Sequence, residues 1–169
     1  MTLPVFDVDG LAFDIPATFL ATKYDGWAFY RNQVERMDGA KAVDLLIIAQ
    51  DGSEMFLVEV KDYSRHARTK PSTLADEMAA KVLHSLGGIL AARTRAVVNL
   101  EQAAADAACR ARKLRVVLHL EQPAAPTPFR QAINAANLQI KLRQTLKAFD
   151  PHVLVVSRTS MGNLAWTVA

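Results

Sequence analysis

Two apolar runs separated by an Asp-Gly pair form the clearest pattern of the chain. Residues 43–49 and 55–60 lie on either side of Asp51-Gly52. An Asp-Gly pair between apolar, β-branched runs favours a type I′ turn, because such residues accept positive φ angles easily. The pattern therefore predicts a β-hairpin. With Asp51 and Gly52 as the two loop residues, Asp44 pairs directly with Glu59 across the ladder.

The register of this hairpin decides what the charged residues do. Both strands are apolar on both faces, so the hydrophobic pattern alone does not fix the pairing. A four-residue loop keeps the same pairing, whereas a three-residue loop shifts it and turns Asp44 and Glu59 to opposite faces. In the first case Lys61 joins both carboxylates, because residues two apart share a strand face. Two facing carboxylates repel each other and are costly on a half-buried sheet unless a cation compensates them.

The remaining pattern predicts an α/β fold, with a mixed central sheet that has helices on both faces. Strands are expected around Asp9-Gly10, as a small ribbon, and at 27–34, 114–121, 152–157 and 164–168, the last two forming a closing hairpin. Helices are expected at 17–24, from Thr73 with a kink or break at Gly87-Gly88, at 97–112 and at 129–149. Apolar residues alternate with mostly polar ones along the strand 114–121, which directs His119 to solvent or to a covering loop.

Composition and charge narrow the classes of protein without selecting one. The 169 residues are 51% hydrophobic and 22% charged, which suits a single domain, 1–169. No apolar run approaches a membrane span and no leader pattern is seen, so a cytoplasmic protein without a membrane partner is expected. The net charge of +3 is compatible with a nucleic-acid partner. Cys109 is the only cysteine, which excludes an internal disulfide and a Cys-based metal site.

A family resemblance rests on Asp44, a turn, and Glu59-Val60-Lys61 at the end of the next strand. This arrangement resembles the core motif of the PD-(D/E)xK phosphodiesterase superfamily, the restriction-endonuclease-like nucleases. The resemblance implies that Asp44 and Glu59 bind Mg²⁺ or Mn²⁺, that Val60 offers its backbone carbonyl, and that Lys61 positions the attacking water. Val43 stands where the name-giving proline often lies.

The resemblance covers a core of about 16–121, and the C-terminal helix and hairpin, 129–168, would be an elaboration. Members of the family commonly carry a further acid on a helix before the first strand. Asp25 and Glu35 are candidates for that position, Gln33 could contribute a polar side chain, and the sequence does not choose among them. A solvated surface position is the simpler interpretation of each.

A basic stretch follows the motif directly. Arg65, Arg68 and Lys70 lie just after Lys61, in a loop that the hairpin would hold beside the site. Arginine and lysine contacts to phosphates supply most of the sequence-independent affinity for nucleic acids. The three residues are therefore expected to contact a nucleic-acid backbone.

Three functional hypotheses follow. The first is a Mg²⁺- or Mn²⁺-dependent nuclease that hydrolyses DNA. The second is a catalytically inactive module that keeps the nuclease fold and binds nucleic acid or a protein. The third is an interaction protein in which Asp44, Glu59 and Lys61 form only a surface ion network. RNA as the substrate and a homodimer as the assembly remain open.

Overall fold

The computed structural model describes residues 5–65, 68, 73–125, 127 and 131–169. Within these ranges the strands are β1 (Val5–Val8), β2 (Leu11–Asp14), β3 (Phe19–Lys23), β4 (Leu45–Ala49), β5 (Met55–Asp62), β6 (Leu114–Glu121), β7 (Leu154–Val156) and β8 (Thr167–Val168). The long helices are α1 (Leu74–Arg95), α2 (Asn99–Arg110) and α3 (Ala135–Thr145). A 3₁₀ turn (Tyr24–Gly26) and a π-helical turn (Tyr30–Val34) connect β3 to β4.

The central sheet has five strands in the order β3-β4-β5-β6-β7. The first three form an antiparallel meander, and β6 and β7 then run parallel to β5. Parallel neighbours need a crossover connection, which α1 and α2 provide between β5 and β6 and α3 provides between β6 and β7. The expected α/β class with a mixed sheet is confirmed.

The register of the central hairpin is the one that brings the carboxylates together. Leu46 pairs with Leu57 and Ile48 pairs with Met55. The predicted two-residue type I′ turn is wrong, however, because Gly52 has a φ of 70° whereas Asp51 keeps a negative φ. The Ala49 N–H donates to the Glu54 carbonyl at 2.9 Å, which leaves a four-residue loop, 50–53. This loop preserves the pairing. The two-residue turn with positive φ at both positions occurs instead at Asp9-Gly10.

The two faces of the central sheet are covered differently. Leu46 and Leu57 belong to the apolar core under the three helices. Leu45 and Val58 point to the other face, where they form a second core with a small antiparallel sheet of order β1-β2-β8. The prediction of helices on both faces is therefore wrong, because the chain ends cover one face with strands. Strand β6 lies between β5 and β7 and is covered on both faces of the sheet. His119 is therefore buried rather than facing solvent.

Between residues 16 and 44 the structure has a strand where a helix was predicted and a helical turn where a strand was predicted. The expected helix at 17–24 is largely strand β3, and the expected strand at 27–34 is helical. Tyr24 and Trp27 pack edge to face with ring centroids 5.1 Å apart, and Tyr30 lies 5.5 Å from Tyr24. The two helical turns thus bring the three aromatic rings into one buried cluster.

The C-terminal elements are shorter than expected and are paired differently. The predicted helix at 129–149 corresponds to α3, which begins after Asn134, whose side chain accepts from the Asn137 N–H at 2.9 Å. The predicted closing hairpin is wrong, because β7 extends the central sheet and β8 pairs with β2. The backbones of Ala12 and Ala169 exchange two hydrogen bonds at 3.0 and 2.9 Å. The end of the chain is therefore attached to its beginning.

Helix α1 runs unbroken from Leu74 to Arg95, so the predicted interruption at Gly87-Gly88 is wrong. Gly88 faces Tyr24, and a Cβ atom there would overlap the Tyr24 hydroxyl and crowd Val34. The glycine thus permits close packing of the helix on the aromatic cluster. In the described part of the chain no helix is both long enough and apolar enough to cross a membrane.

We expect Gly88→Ala to destabilise the protein by about 1–3 kcal/mol, because the added methyl group overpacks the contact with Tyr24. Gly87→Ala is the matched control, since nothing lies within 4 Å of its added Cβ. The control should gain up to about 1 kcal/mol from helix propensity. Urea unfolding of both variants measures the difference. Equal stability of the two variants would show that Gly88 does not act through this contact.

Candidate active site

Asp44 lies immediately before β4 and continues its ladder with both backbone and side chain. Its N–H donates to the Val58 carbonyl at 3.1 Å, and its carbonyl accepts from the Tyr24 N–H at 2.9 Å. Its Oδ2 accepts from the Val60 N–H at 2.7 Å. The Asp44 carboxylate is therefore attached to the backbone of the residue between Glu59 and Lys61.

Glu59 is a buried carboxylate with two ammonium partners. Its side chain is 1% exposed, and its Oε1 lies 2.6 Å from the Nζ of both Lys61 and Lys81. Its Oε2 has no hydrogen-bond partner among the described residues. A buried carboxylate costs several kcal/mol in lost hydration unless opposite charges compensate it. The two lysines provide that compensation.

Helix α1 supplies a second set of charged side chains. Glu77, Lys81 and Ser85 recur every four residues, so they share one face of the helix. The Ser85 hydroxyl accepts from the Val43 N–H at 3.0 Å, which holds the helix against the residue before Asp44. Sequence reasoning missed Glu77 and Lys81. The available signal was this four-residue polar spacing within a helix that otherwise has many buried apolar residues.

Glu77 connects the motif lysine to the downstream loop. Its Oε1 lies 3.5 Å from Lys61 Nζ, and its Oε2 accepts from Arg68 at 3.0 Å. Arg68 also donates to the Tyr63 hydroxyl at 2.9 Å and is only 17% exposed. Arg68 is thus part of the ion network beside the site. Its contact with a nucleic acid stays a prediction.

The other two cations of the basic stretch are placed differently. Arg65 is 72% exposed and lies 4.0 Å from Asp62. Its position on the loop after β5 is compatible with the predicted phosphate contact. Lys70 lies outside the described residues.

A cavity of about 350 Å³ opens beside the Asp44 carboxylate. Its lining is mostly polar and charged and comes from the segment before β4 and from α1: Asp25, Tyr30, Arg31, Glu35, Lys41, Ala42, Asp44, Glu77 and Lys81. Of the residues left open by the sequence, Asp25 and Glu35 line this cavity, whereas Gln33 is exposed and does not. Asp25 Oδ1 is buried without a hydrogen-bond partner among the described residues.

The surroundings alter the proton affinities of two motif residues. Burial, together with the nearby Glu59 carboxylate, raises the pKa of Asp44 to about 7, against the lowering effect of Lys81 and the Val60 N–H. Burial alone would lower the pKa of Lys61, but Glu59 and Glu77 more than offset it and hold that pKa above its ordinary value. Lys61 is therefore a stable ammonium group, which donates hydrogen bonds and keeps its proton.

The donor set can be compared with the needs of a divalent ion. Among the described residues no group of three or more His, Cys, Asp or Glu side chains is arranged to hold a metal. Mg²⁺ needs fewer protein ligands, because it retains waters and binds through one or two carboxylates plus substrate phosphate. Asp44 and Glu59 with its unpartnered Oε2 fit that minimal set.

Comparison with known proteins gives one relative of low identity. A cysteine–tRNA ligase of Neisseria meningitidis serogroup A is 26% identical to this chain, over 94% of this chain and 29% of the ligase. The chain thus spans less than a third of that relative. No family model matches the chain, and no solved structure matches it.

The raised pKa of Asp44 predicts a pH-dependent stability. The native state holds this proton more tightly than the unfolded chain, so ionisation of Asp44 lowers stability as the pH rises. Asp44→Asn keeps an acceptor for the Val60 N–H without the charge. We expect the free energy of unfolding of the wild type to fall relative to this variant between about pH 4 and about pH 7. Urea unfolding across this range, in EDTA, measures the difference. A constant difference would contradict the assignment.

Proposed function

We propose that this protein is a metal-dependent phosphodiesterase that hydrolyses nucleic acid, with DNA as the expected substrate and a fold of the restriction-endonuclease-like type. One observation carries the proposal. The Asp44 carboxylate accepts a hydrogen bond from the Val60 N–H, which holds it beside the strand that carries Glu59 and Lys61 on one face. Of these three residues, Asp44 lines the charged cavity, together with Glu77 and Lys81, which pair with Lys61 and Glu59.

The proposed ligands of Mg²⁺ or Mn²⁺ are the carboxylates of Asp44 and Glu59, with the carbonyl of Val60 as the resemblance implies. When bound, such an ion polarises a phosphoryl oxygen and lowers the pKa of a coordinated water. Asp44 is half-buried and anchored by the Val60 N–H, so its carboxylate is already directed to the site. Preorganised groups of this kind need little rearrangement when the substrate binds.

The proposed role of Lys61 is that of a positively charged hydrogen-bond donor. It lies between Glu59 at 2.6 Å and Glu77 at 3.5 Å, and its raised pKa keeps it protonated. An ammonium held in this way can orient the attacking water and stabilise the negative charge that develops on the phosphate. Glu77 is a positioning residue for this lysine, and Arg68 holds Glu77 from the other side.

We expect Glu59→Gln and Lys61→Met each to reduce the rate of nucleic-acid cleavage by at least about 100-fold, because each removes a charge from the reacting centre. The measurement is cleavage of labelled single- and double-stranded DNA with Mg²⁺ or Mn²⁺. A tRNA belongs in the same panel, since the relative of low identity is named for a reaction on tRNA.

Matched controls lie at the opposite end of the same strand. Glu54 directly precedes β5, and the Lys113 carbonyl accepts from the first N–H of β5. Glu54→Gln and Lys113→Met remove the same charges away from the site and should leave the rate within about twofold of wild type. Wild-type activity in Glu59→Gln and Lys61→Met would rule out the proposed mechanism.

A second candidate is a non-catalytic module that binds nucleic acid through the same surface. The observation in its favour is that Lys81 already places a positive charge on Glu59 without any metal. This candidate predicts that DNA or tRNA is bound but not cleaved in any divalent ion. A gel-shift experiment run beside the cleavage assay separates the two candidates.

A further inference from the structure

The charges around the motif balance without any added ion. Three carboxylates and three cations form one connected set: Asp44, Glu59, Glu77, Lys61, Lys81 and Arg68. A divalent ion entering this set would add two positive charges to a buried cluster that is already neutral when every member is ionised. Such an ion needs either the departure of a cation or the arrival of an anion.

Lys81 is the cation best placed to leave. Its Nζ lies 2.6 Å from Glu59 Oε1, and Glu59 is the one carboxylate among the described residues within salt-bridge distance of it. Lys61, in contrast, is also held by Glu77. The Lys81 side chain is 15% exposed and lines the cavity with Asp44, so it already borders the space that a substrate would enter.

Only the side chain of Lys81 has to move. Helix α1 is fixed near this position by the bond from the Val43 N–H to the Ser85 hydroxyl and by the ion pairs of Glu77. A lysine has a flexible four-carbon stem and a compact charge, which allows its ammonium group to change partners without movement of the backbone. Glu59 Oε2, which has no hydrogen-bond partner in the described part of the chain, remains as a ligand atom.

We propose that Lys81 is a built-in counter-cation that competes with the divalent ion for Glu59 and transfers to a substrate phosphate when nucleic acid enters the cavity. This inference rests on the proposed function, because it concerns the same metal site. It makes the free protein a weak metal binder. A phosphodiester then strengthens metal binding, because it both attracts Lys81 away from Glu59 and contributes negative charge.

The first test is calorimetric titration of Mn²⁺ into the full chain without nucleic acid. Lys81→Met removes the competing charge and should bind Mn²⁺ at least about tenfold more tightly than wild type, whereas Lys81→Arg keeps the charge and should bind weakly. Lys41→Met is the matched control, since Lys41 lines the same cavity and has no ion pair with Glu59. Its affinity should stay within about twofold of wild type.

The second test repeats the titration with a phosphorothioate DNA oligonucleotide that resists cleavage. Wild type should gain Mn²⁺ affinity when the oligonucleotide is present, and Lys81→Met should gain several-fold less. A thermal melt shows whether Lys81→Met is folded, and Lys81→Gln replaces it if it is not.

The outcomes separate this inference from the proposed function. Equal Mn²⁺ affinity of wild type and Lys81→Met, or no binding by either, would overturn the role of Lys81. Tighter binding by Lys81→Met with no cleavage of any nucleic acid would support that role and overturn the proposed nuclease activity. Cleavage by the wild type, together with equal Mn²⁺ affinities of wild type and Lys81→Met, would support the nuclease activity and rule out competition by Lys81.

Discussion

The buried charge of Glu59 is the constraint on which the rest of the site depends. A carboxylate inside a protein is tolerated only when opposite charges and hydrogen bonds replace its lost hydration. Here the two compensating ammonium groups come from different elements, Lys61 from β5 and Lys81 from α1. The ion pair of Glu59 with Lys81 therefore connects α1 to the sheet. The side of α1 that bears Lys81 has to face the sheet.

The alternation of side chains along β5 places the charged residues of the site on one face of the sheet. Because successive side chains point to opposite faces, Glu59 and Lys61 share the helix-covered face while Val60 points into the second core. Asp44 reaches the same face although it precedes the first paired residue of β4, because its carboxylate takes the place of a backbone acceptor for Val60. The site thus forms where regular pairing of the hairpin ends.

Local sequence patterns indicated the hairpin but not its loop, and they were insufficient for the helix that packs on it. The pairing of Leu46 with Leu57 agrees with the prediction because the observed four-residue loop keeps the register of the predicted two-residue turn. Glu77 and Lys81 reach the motif only because α1 packs against the sheet, and no pattern within the motif indicates that packing. The helical turn at 30–34, in which Tyr30 packs on Tyr24, was likewise not indicated by the local pattern.

The two tryptophans of the chain lie on opposite sides of the central sheet. Trp27 packs under the helices, where its indole N–H donates to the Thr22 hydroxyl at 2.9 Å. Trp166 packs against Phe56 beneath the small sheet, with ring centroids 5.0 Å apart. Each layer therefore carries its own intrinsic fluorophore. Two single-tryptophan variants would report separately on the assembly of the layer bearing the charged cavity and of the layer that joins the chain ends.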